Sequence, residues 1–247
     1  MPDVLGYRAK VGLLVPSTNT VVEPEFYAMA PPGVTFHASR MYVPARGIAS
    51  DADAQAFMDD QRAALSTALR DVLTLEPDYL VLGITSLTFV DGLDGHRRLE
   101  RELEAASSLR VTTAAAAVHA ALQVCRARRL AILSPLPPMM DAHYRRFFGE
   151  AGYDVVQIKR LQCPTTVSIA HVDEGTLRPA LQDLDEPGVD AIVQVGADLV
   201  MARLADEAER WLGKPVIAIN AAMLWHALRA CDIRDQVRGY GMLLRDY

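Results

Sequence analysis

Short apolar runs alternate along this chain with longer stretches whose apolar residues recur every three or four positions. Lys10 to Val15, Tyr79 to Leu82, Arg129 to Ser134 and Ala191 to Val195 read as buried strands. Val34 to Tyr42, Arg110 to Thr113, Tyr153 to Arg160 and Pro215 to Ile219 are further strands. Helical spacing predicts helices over Glu23 to Met29, Ala54 to Leu75, Gly95 to Ala106 and Ala114 to Val124. In the remainder, Met139 to Glu150, Gly175 to Leu184, Leu199 to Leu212 and Ala221 to Ala230 follow the same rule, the first of them stopping at Ala151-Gly152. Ala45 to Asp53 reads as a polar, mobile connection.

Strand then helix is thus the repeating order, and it begins afresh near Arg129. Gly12-Leu-Leu-Val-Pro-Ser pairs with Ala131-Ile-Leu-Ser-Pro, Asp78-Tyr-Leu-Val-Leu-Gly with Asp190-Ala-Ile-Val-Gln-Val-Gly, and Arg110-Val-Thr-Thr with Pro215-Val-Ile-Ala. The offset drifts slowly, from about 119 to about 105 residues, as two copies of one unit with unequal loops would give. The expected fold class is α/β, with two pseudo-symmetric parallel-sheet, Rossmann-like halves and an active-site cleft between them. Residues 1–116 with 220–247 would form the first half and residues 117–219 the second. Ligands of such sheets sit beyond the carboxyl ends of the strands, so the two sets of strand ends should face each other across that cleft.

Composition narrows the possible occupants. The chain has 247 residues and a formal net charge of −6, without a local basic patch, which argues against nucleic acid as a partner. Neither a run long enough to span a membrane nor the basic-then-apolar order of a signal peptide is present, so a cytoplasmic protein with no membrane partner is expected. The three cysteines, Cys125, Cys163 and Cys231, are widely spaced and indicate neither a disulfide framework nor a metal site. Dinucleotide and Walker fingerprints are missing, and no cofactor is expected. Oligomeric state is left open.

The residues after the strands carry the candidate chemistry. They are Pro16, Ser17, Asn19 and Thr20, then Ile84, Thr85 and Ser86, then Thr112 and Thr113 in the first copy. Ser134, Leu136, Val195, Gly196 and Asn220 follow in the second, with Thr166 in a nearby loop. Most are neutral hydrogen-bonding groups. Hydroxyls and amides converging on one point suit a carboxylate, or the enediolate that forms when a carbanion develops beside one. Each taken singly is also an ordinary helix cap. Of the histidines, His119 and His226 occupy similar places in two Ala-rich helices, while His37, His96 and His171 read as surface residues.

These residues resemble a known group. Ile84-Thr-Ser-Leu-Thr-Phe89 with Gly92 resembles the Gly-Thr-Ser-Leu-Ser-Phe segment of arylmalonate decarboxylases, and Gly12-Leu-Leu-Val-Pro-Ser-Thr-Asn-Thr-Val-Val-Glu23 is similar to the Pro-Ser-x-Asn-Thr loop of maleate cis-trans isomerases. Both belong to the aspartate/glutamate racemase superfamily, and the resemblance extends through Lys214-Pro-Val-Ile to Arg238-Gly-Tyr-Gly-Met-Leu243. It implies a cofactor-independent enzyme acting on a small carboxylic or dicarboxylic acid, with Thr85 and Ser86 holding a carboxylate. It also implies two cysteines, but Ile84 and Gly196 stand where they would fall, and Leu136 stands where the decarboxylases place a tyrosine. Solvent water would then deliver the proton, or Cys163, in the loop Gln162-Cys-Pro-Thr-Thr166, would be a relocated catalytic donor. Three readings stand open at this point: a decarboxylase-like lyase, an isomerase or racemase with a relocated donor, and a carboxylate-binding protein without turnover.

Overall fold

The computed structural model describes residues 3–45 and 47–247. Met1, Pro2 and Arg46, which the sequence reading assigns to the first half and its polar connection, lie outside the described residues.

Among the described residues, eight parallel strands form two sheets of four. The first contains β1 (Ala9–Pro16), β2 (Val34–Met41), β3 (Tyr79–Leu82) and β4 (Val111–Thr113), in the order β2-β1-β3-β4. The second contains β5 (Arg129–Ser134), β6 (Asp154–Arg160), β7 (Ala191–Gln194) and β8 (Val216–Ala218), in the order β6-β5-β7-β8. Adding four to every label of the first order gives the second, so the duplication inferred from weak pairwise similarity is present in the topology. The four-residue strands β3 and β7 are buried throughout, as expected of parallel strands covered on both faces.

Helices complete each half: α1 (Val22–Ala28), α2 (Asp51–Leu73), α3 (Gly92–Ser107) and α4 (Ala114–Cys125) in the first copy. Their counterparts are α5 (Met139–Glu150), α6 (Glu174–Asp183), α7 (Ala202–Leu212) and α8 (Ile219–Ala230), followed by a short α9 (Met242–Asp246). Helices α4 and α8, equivalent in the two copies, pack on each other, and α8 also reaches β3, β4 and α1. Glu209 of α7 accepts the Met242 N–H at 2.8 Å, which ties α9 to the second copy as well. Among the described residues no helix is long and apolar enough to cross a membrane.

Four local expectations change. Within the stretch from Ala45 to Asp53, residues 47–53 are tied down: Gly47 bridges Thr165 in antiparallel fashion, Ile48 is fully buried, and a reciprocal capping box between Ser50 and Asp53 starts α2 at Asp51. Helix α7 begins at Ala202, later than the apolar spacing suggests, because Asp198 is held by the Thr20 N–H and the Met201 N–H by Glu25, both of the first half. Helix α8 starts at Ile219, whose N–H donates to Gln194 Oε1, so β8 runs into it without a loop. His96 is buried at an edge-to-face contact with Phe147, rather than at the surface, and burial lowers its pKa to about 4.

Candidate active site

The carboxyl ends of β1, β3, β5 and β7 meet in one cleft, about 410 Å³ when the part open to solvent is included. Pro16, Thr18 and Asn19 line it after β1, and Gly83, Ile84, Thr85 and Ser86 after β3. Pro135 and Leu136 contribute from β5, and Gly196, Ala197 and Asp198 from β7. Phe57 and Gln61 of α2 form one side, with Thr166 and Ile169 from the loop after β6. No lysine, arginine or histidine is among these residues.

Of the residues singled out in the sequence, Pro16, Asn19, Ile84, Thr85, Ser86, Leu136, Thr166 and Gly196 are brought together here. Others sit behind the walls. Ser17 Oγ accepts the Val43 N–H at 3.0 Å and so pins the ends of β1 and β2 together. The Ser134 hydroxyl accepts the Leu136 N–H at 3.2 Å, and Thr113 caps α4 through the Ala116 N–H. Thr112 contacts Tyr79 and His226, the latter at 2.8 Å to Nδ1. Val195 is fully buried with its N–H on the Leu133 carbonyl. Cys163 is buried outside the lining, its N–H on the Pro135 carbonyl, and burial pushes its thiol pKa up. A buried thiol of raised pKa is a poor nucleophile.

The lining groups differ in what they can still offer. Asn19 Oδ1 accepts the N–H groups of Val21 and Val22, both at 3.0 Å, and so caps α1. That use of the carbonyl leaves the amide N–H2 as the group Asn19 can present to a ligand. Ser86 Oγ donates to Gln61 Oε1 at 2.6 Å in a buried pair. A hydroxyl has one hydrogen, so Ser86 serves a ligand as donor only when Gln61 turns its amide and becomes the donor instead. The Thr166 hydroxyl is buried and has no hydrogen-bond partner, which marks a polar atom waiting for one.

Sequence reasoning missed several lining residues, among them Gln61 and the one lining carboxylate, Asp198. Its Oδ1 accepts the Thr20 N–H at 2.9 Å, from the opposite half of the molecule. Burial pushes the carboxyl up to about 7, against the Thr20 and Val21 N–H groups and the Arg40 charge, which pull it down. A reciprocal contact lies beside it. Glu25 of α1 accepts the N–H groups of Met201 and Ala202 at 3.1 and 2.9 Å, capping α7, and takes the Asn220 amide at 2.7 Å. Each half therefore supplies a carboxyl group to the start of a helix in the other, where the positive end of the helix dipole favours it. Thr20 and Asn220 take part in this joint rather than in the cleft lining.

Gly196 is sterically required. A Cβ there would lie 2.5 Å from Pro135 Cγ and 2.8 Å from its Cδ. The proline ring fills the space a side chain at this strand end would occupy. Gly83, at the matching strand end, is similarly crowded, by Val15 Cγ1 at 2.7 Å.

Comparison with known proteins bears on this arrangement. A family profile described as arylmalonate decarboxylase matches residues 11–244. A maleate isomerase of Pseudomonas putida is 30% identical over 249 residues, covering 95% of this chain and 96% of that protein. An arylmalonate decarboxylase of Bordetella bronchiseptica is 28% identical over 162 residues, covering 64% of this chain and 68% of that one. The solved maleate cis-trans isomerase of Nocardia farcinica, bound to TRIS, has the same fold, with a TM-score of 0.86 at 23% identity over 96% of this chain and 97% of that chain. The chain belongs to the arylmalonate decarboxylase family.

Proposed function

We propose that this member of the arylmalonate decarboxylase family is a cofactor-independent lyase that removes CO2 from a small malonate-type dicarboxylic acid through an enediolate. One observation carries the reading: among the described residues the cleft has two chemically unlike linings and no cation. Thr18, Asn19, Thr85, Ser86 and Thr166 supply neutral hydrogen-bonding groups, whereas Phe57, Ile84, Leu136 and Ile169 are apolar. A carboxylate that stays can be held by the first set. A carboxylate that leaves, set against the second, loses its hydration and is more stable as neutral CO2. As the carbon–carbon bond breaks, its electron pair enters the retained carboxylate, and the added negative charge strengthens the hydrogen bonds from Thr85 and Asn19 more than the ground state did.

Of the two-part division expected from the sequence, the contacts of α8 with β3 and β4 support placing α8 with the first half, whereas α9 is held by Asp206 and Glu209 of α7. A second reading, cis–trans isomerisation of an unsaturated dicarboxylate, is favoured by the identity with the Pseudomonas protein along nearly the whole chain. It lacks a thiol at both strand ends, where Ile84 and Gly196 stand.

Incubation with methyl-, aryl- and unsubstituted malonates, with CO2 release followed directly, tests the lyase. Release that disappears in the Thr85→Ala/Ser86→Ala double variant is the expected result. Conversion of maleate to fumarate without CO2 release from any malonate would replace it with the isomerase.

A further inference from the structure

An enediolate must be protonated on carbon before product leaves, and the linings described so far hold charge without supplying a proton. Asp198 is the one carboxylic acid, and the one group of ordinary acidity, among the side chains that line the cleft. It extends from the β7 end, two residues past Gly196, while Thr85 and Ser86 come from the β3 end of the other sheet. We propose that the Asp198 carboxyl is the proton donor of this cleft, delivering its proton to one face of the enediolate carbon held by Thr85 and Ser86. The proposal rests on the lyase reading for its substrate and on the geometry of the β7 end for its donor.

Competing donors are placed elsewhere. Cys163 is outside the lining, and burial pushes the thiols of Cys125 and Cys231 up to about 11. His96, His119 and His226 border a separate hollow with Arg97 and Glu100. Serine and threonine hydroxyls are far too weakly acidic to release a proton at neutral pH. Asp198 is held near 7, so close to half of it carries a proton at neutral pH, which is where a general acid is most effective. The charged groups around it are accounted for: Arg40 is engaged by Glu23 and by the Asn19 carbonyl, and Glu25 by Met201, Ala202 and Asn220.

The step balances without a co-reactant. The bond from the α-carbon to the departing carboxyl breaks and CO2 leaves, its electron pair residing in the enediolate. The Asp198 O–H bond then breaks as a new C–H bond forms at the α-carbon, and the enediolate returns to a carboxylate. Water re-protonates Asp198 for the next turn. A fixed donor on one wall reaches one face, so the product of a prochiral disubstituted malonate is a single enantiomer, in contrast to the racemic product that solvent protonation would give.

Asp198→Asn keeps an oxygen for the Thr20 N–H and removes the acid. With a methyl-aryl malonate, the native protein is expected to give enantiopure product, and the variant to release CO2 about 10²- to 10⁴-fold more slowly with racemic product. Its rate should also lose the native fall above pH 7. An Asp198→Asn product as enantiopure as the native one would overturn the proposal, because a residue that only anchors the Thr20 loop would lower the rate and leave the chirality alone. Exchange of the α-proton of an arylpropionic acid in D2O, followed by NMR, needs the donor but no decarboxylation. Exchange that depends on Asp198, with no CO2 released from any malonate, would keep the donor and overturn the lyase; neither exchange nor release would overturn both. Native circular dichroism and melting of the variant, with Asp198→Ser as a second acid-free replacement, separate loss of the donor from loss of the fold.

Discussion

The ends of β3 and β7 occupy equivalent places in two copies of one unit, yet they present opposite chemistry. At β3 the chain offers Thr85 and Ser86, neutral groups suited to stabilising negative charge. At β7 it offers Gly196, pressed against Pro135, and then Asp198, an acid whose burial holds it near neutrality. The topology repeats, and on the proposed mechanism a few residues at each strand end assign charge-holding to one half and proton supply to the other. Equivalent backbone positions therefore do not imply equivalent roles.

The widest separation between the two ends should appear in catalysis. Thr85→Ala removes a hydroxyl from the charge-holding wall and is expected to lower kcat about 10²-fold or more, with a smaller effect on KM, whereas Ser86→Ala, whose hydrogen is donated to Gln61, is expected to lower it less. Steady-state kinetics on the best malonate measures this, and a loss in Thr85→Ala no larger than in Ser86→Ala would count against Thr85 as the direct contact.

The next comparison asks whether the β7 end can be made to carry the cysteine its relatives' pattern calls for. Gly196→Cys forces its Cβ into the Pro135 ring, and overpacking of this kind costs about 1–3 kcal/mol. Urea denaturation should show that loss, and show most of it recovered in Pro135→Ala/Gly196→Cys. Full stability of the single variant would mean that Pro135 yields easily and that glycine at 196 is not sterically imposed.

The smallest effect concerns stability against pH. The Asp198 pKa is raised in the folded state, so its favourable contribution is complete below the unfolded value near 4 and is lost as pH rises through about 7. Asp198→Asn does not titrate. Its stability relative to the native chain should therefore climb between pH 4 and pH 8, on the order of 1 kcal/mol once solvent access to the cleft is allowed for. Parallel thermal melts across that range provide the check, and a constant difference would remove the buried-acid description of the β7 end.

How much of this was legible in the chain follows from what kind of signal each feature leaves. Buried parallel strands are continuous apolar runs, so β3 and β7 could be read directly, and their shared spacing exposed the duplication. The Thr85-Ser86 pair was visible because two hydroxyls follow an apolar strand. Asp198 was not, since an aspartate in a loop is ordinarily solvated; its character comes from burial against the Thr20 turn, about 178 residues away in sequence. Gln61 leaves a fainter signal, a lone amide four residues after Phe57 on an apolar helix face. Ser17, Thr113 and Ser134 show the converse: their residue types match a ligand site, and the structure spends them on strand ends, a cap and a turn. Telling these apart requires knowing which backbone N–H groups already have partners.

The bridge between Gly47 and Thr165 has a kinetic meaning. One loop from each half meets there beside the cleft, joined by that bridge and by the Ile48 N–H to Pro164 carbonyl bond of 3.0 Å. Few backbone bonds hold the two loops together, although Ile48 beside them is fully buried, and openings of such loops occur in about microseconds to milliseconds. An ordinary enzyme turns over at about 10 per second. On those timescales passage of small acids in and out would be fast compared with bond breaking, and KM is expected to report an equilibrium of binding rather than the pace of a gate.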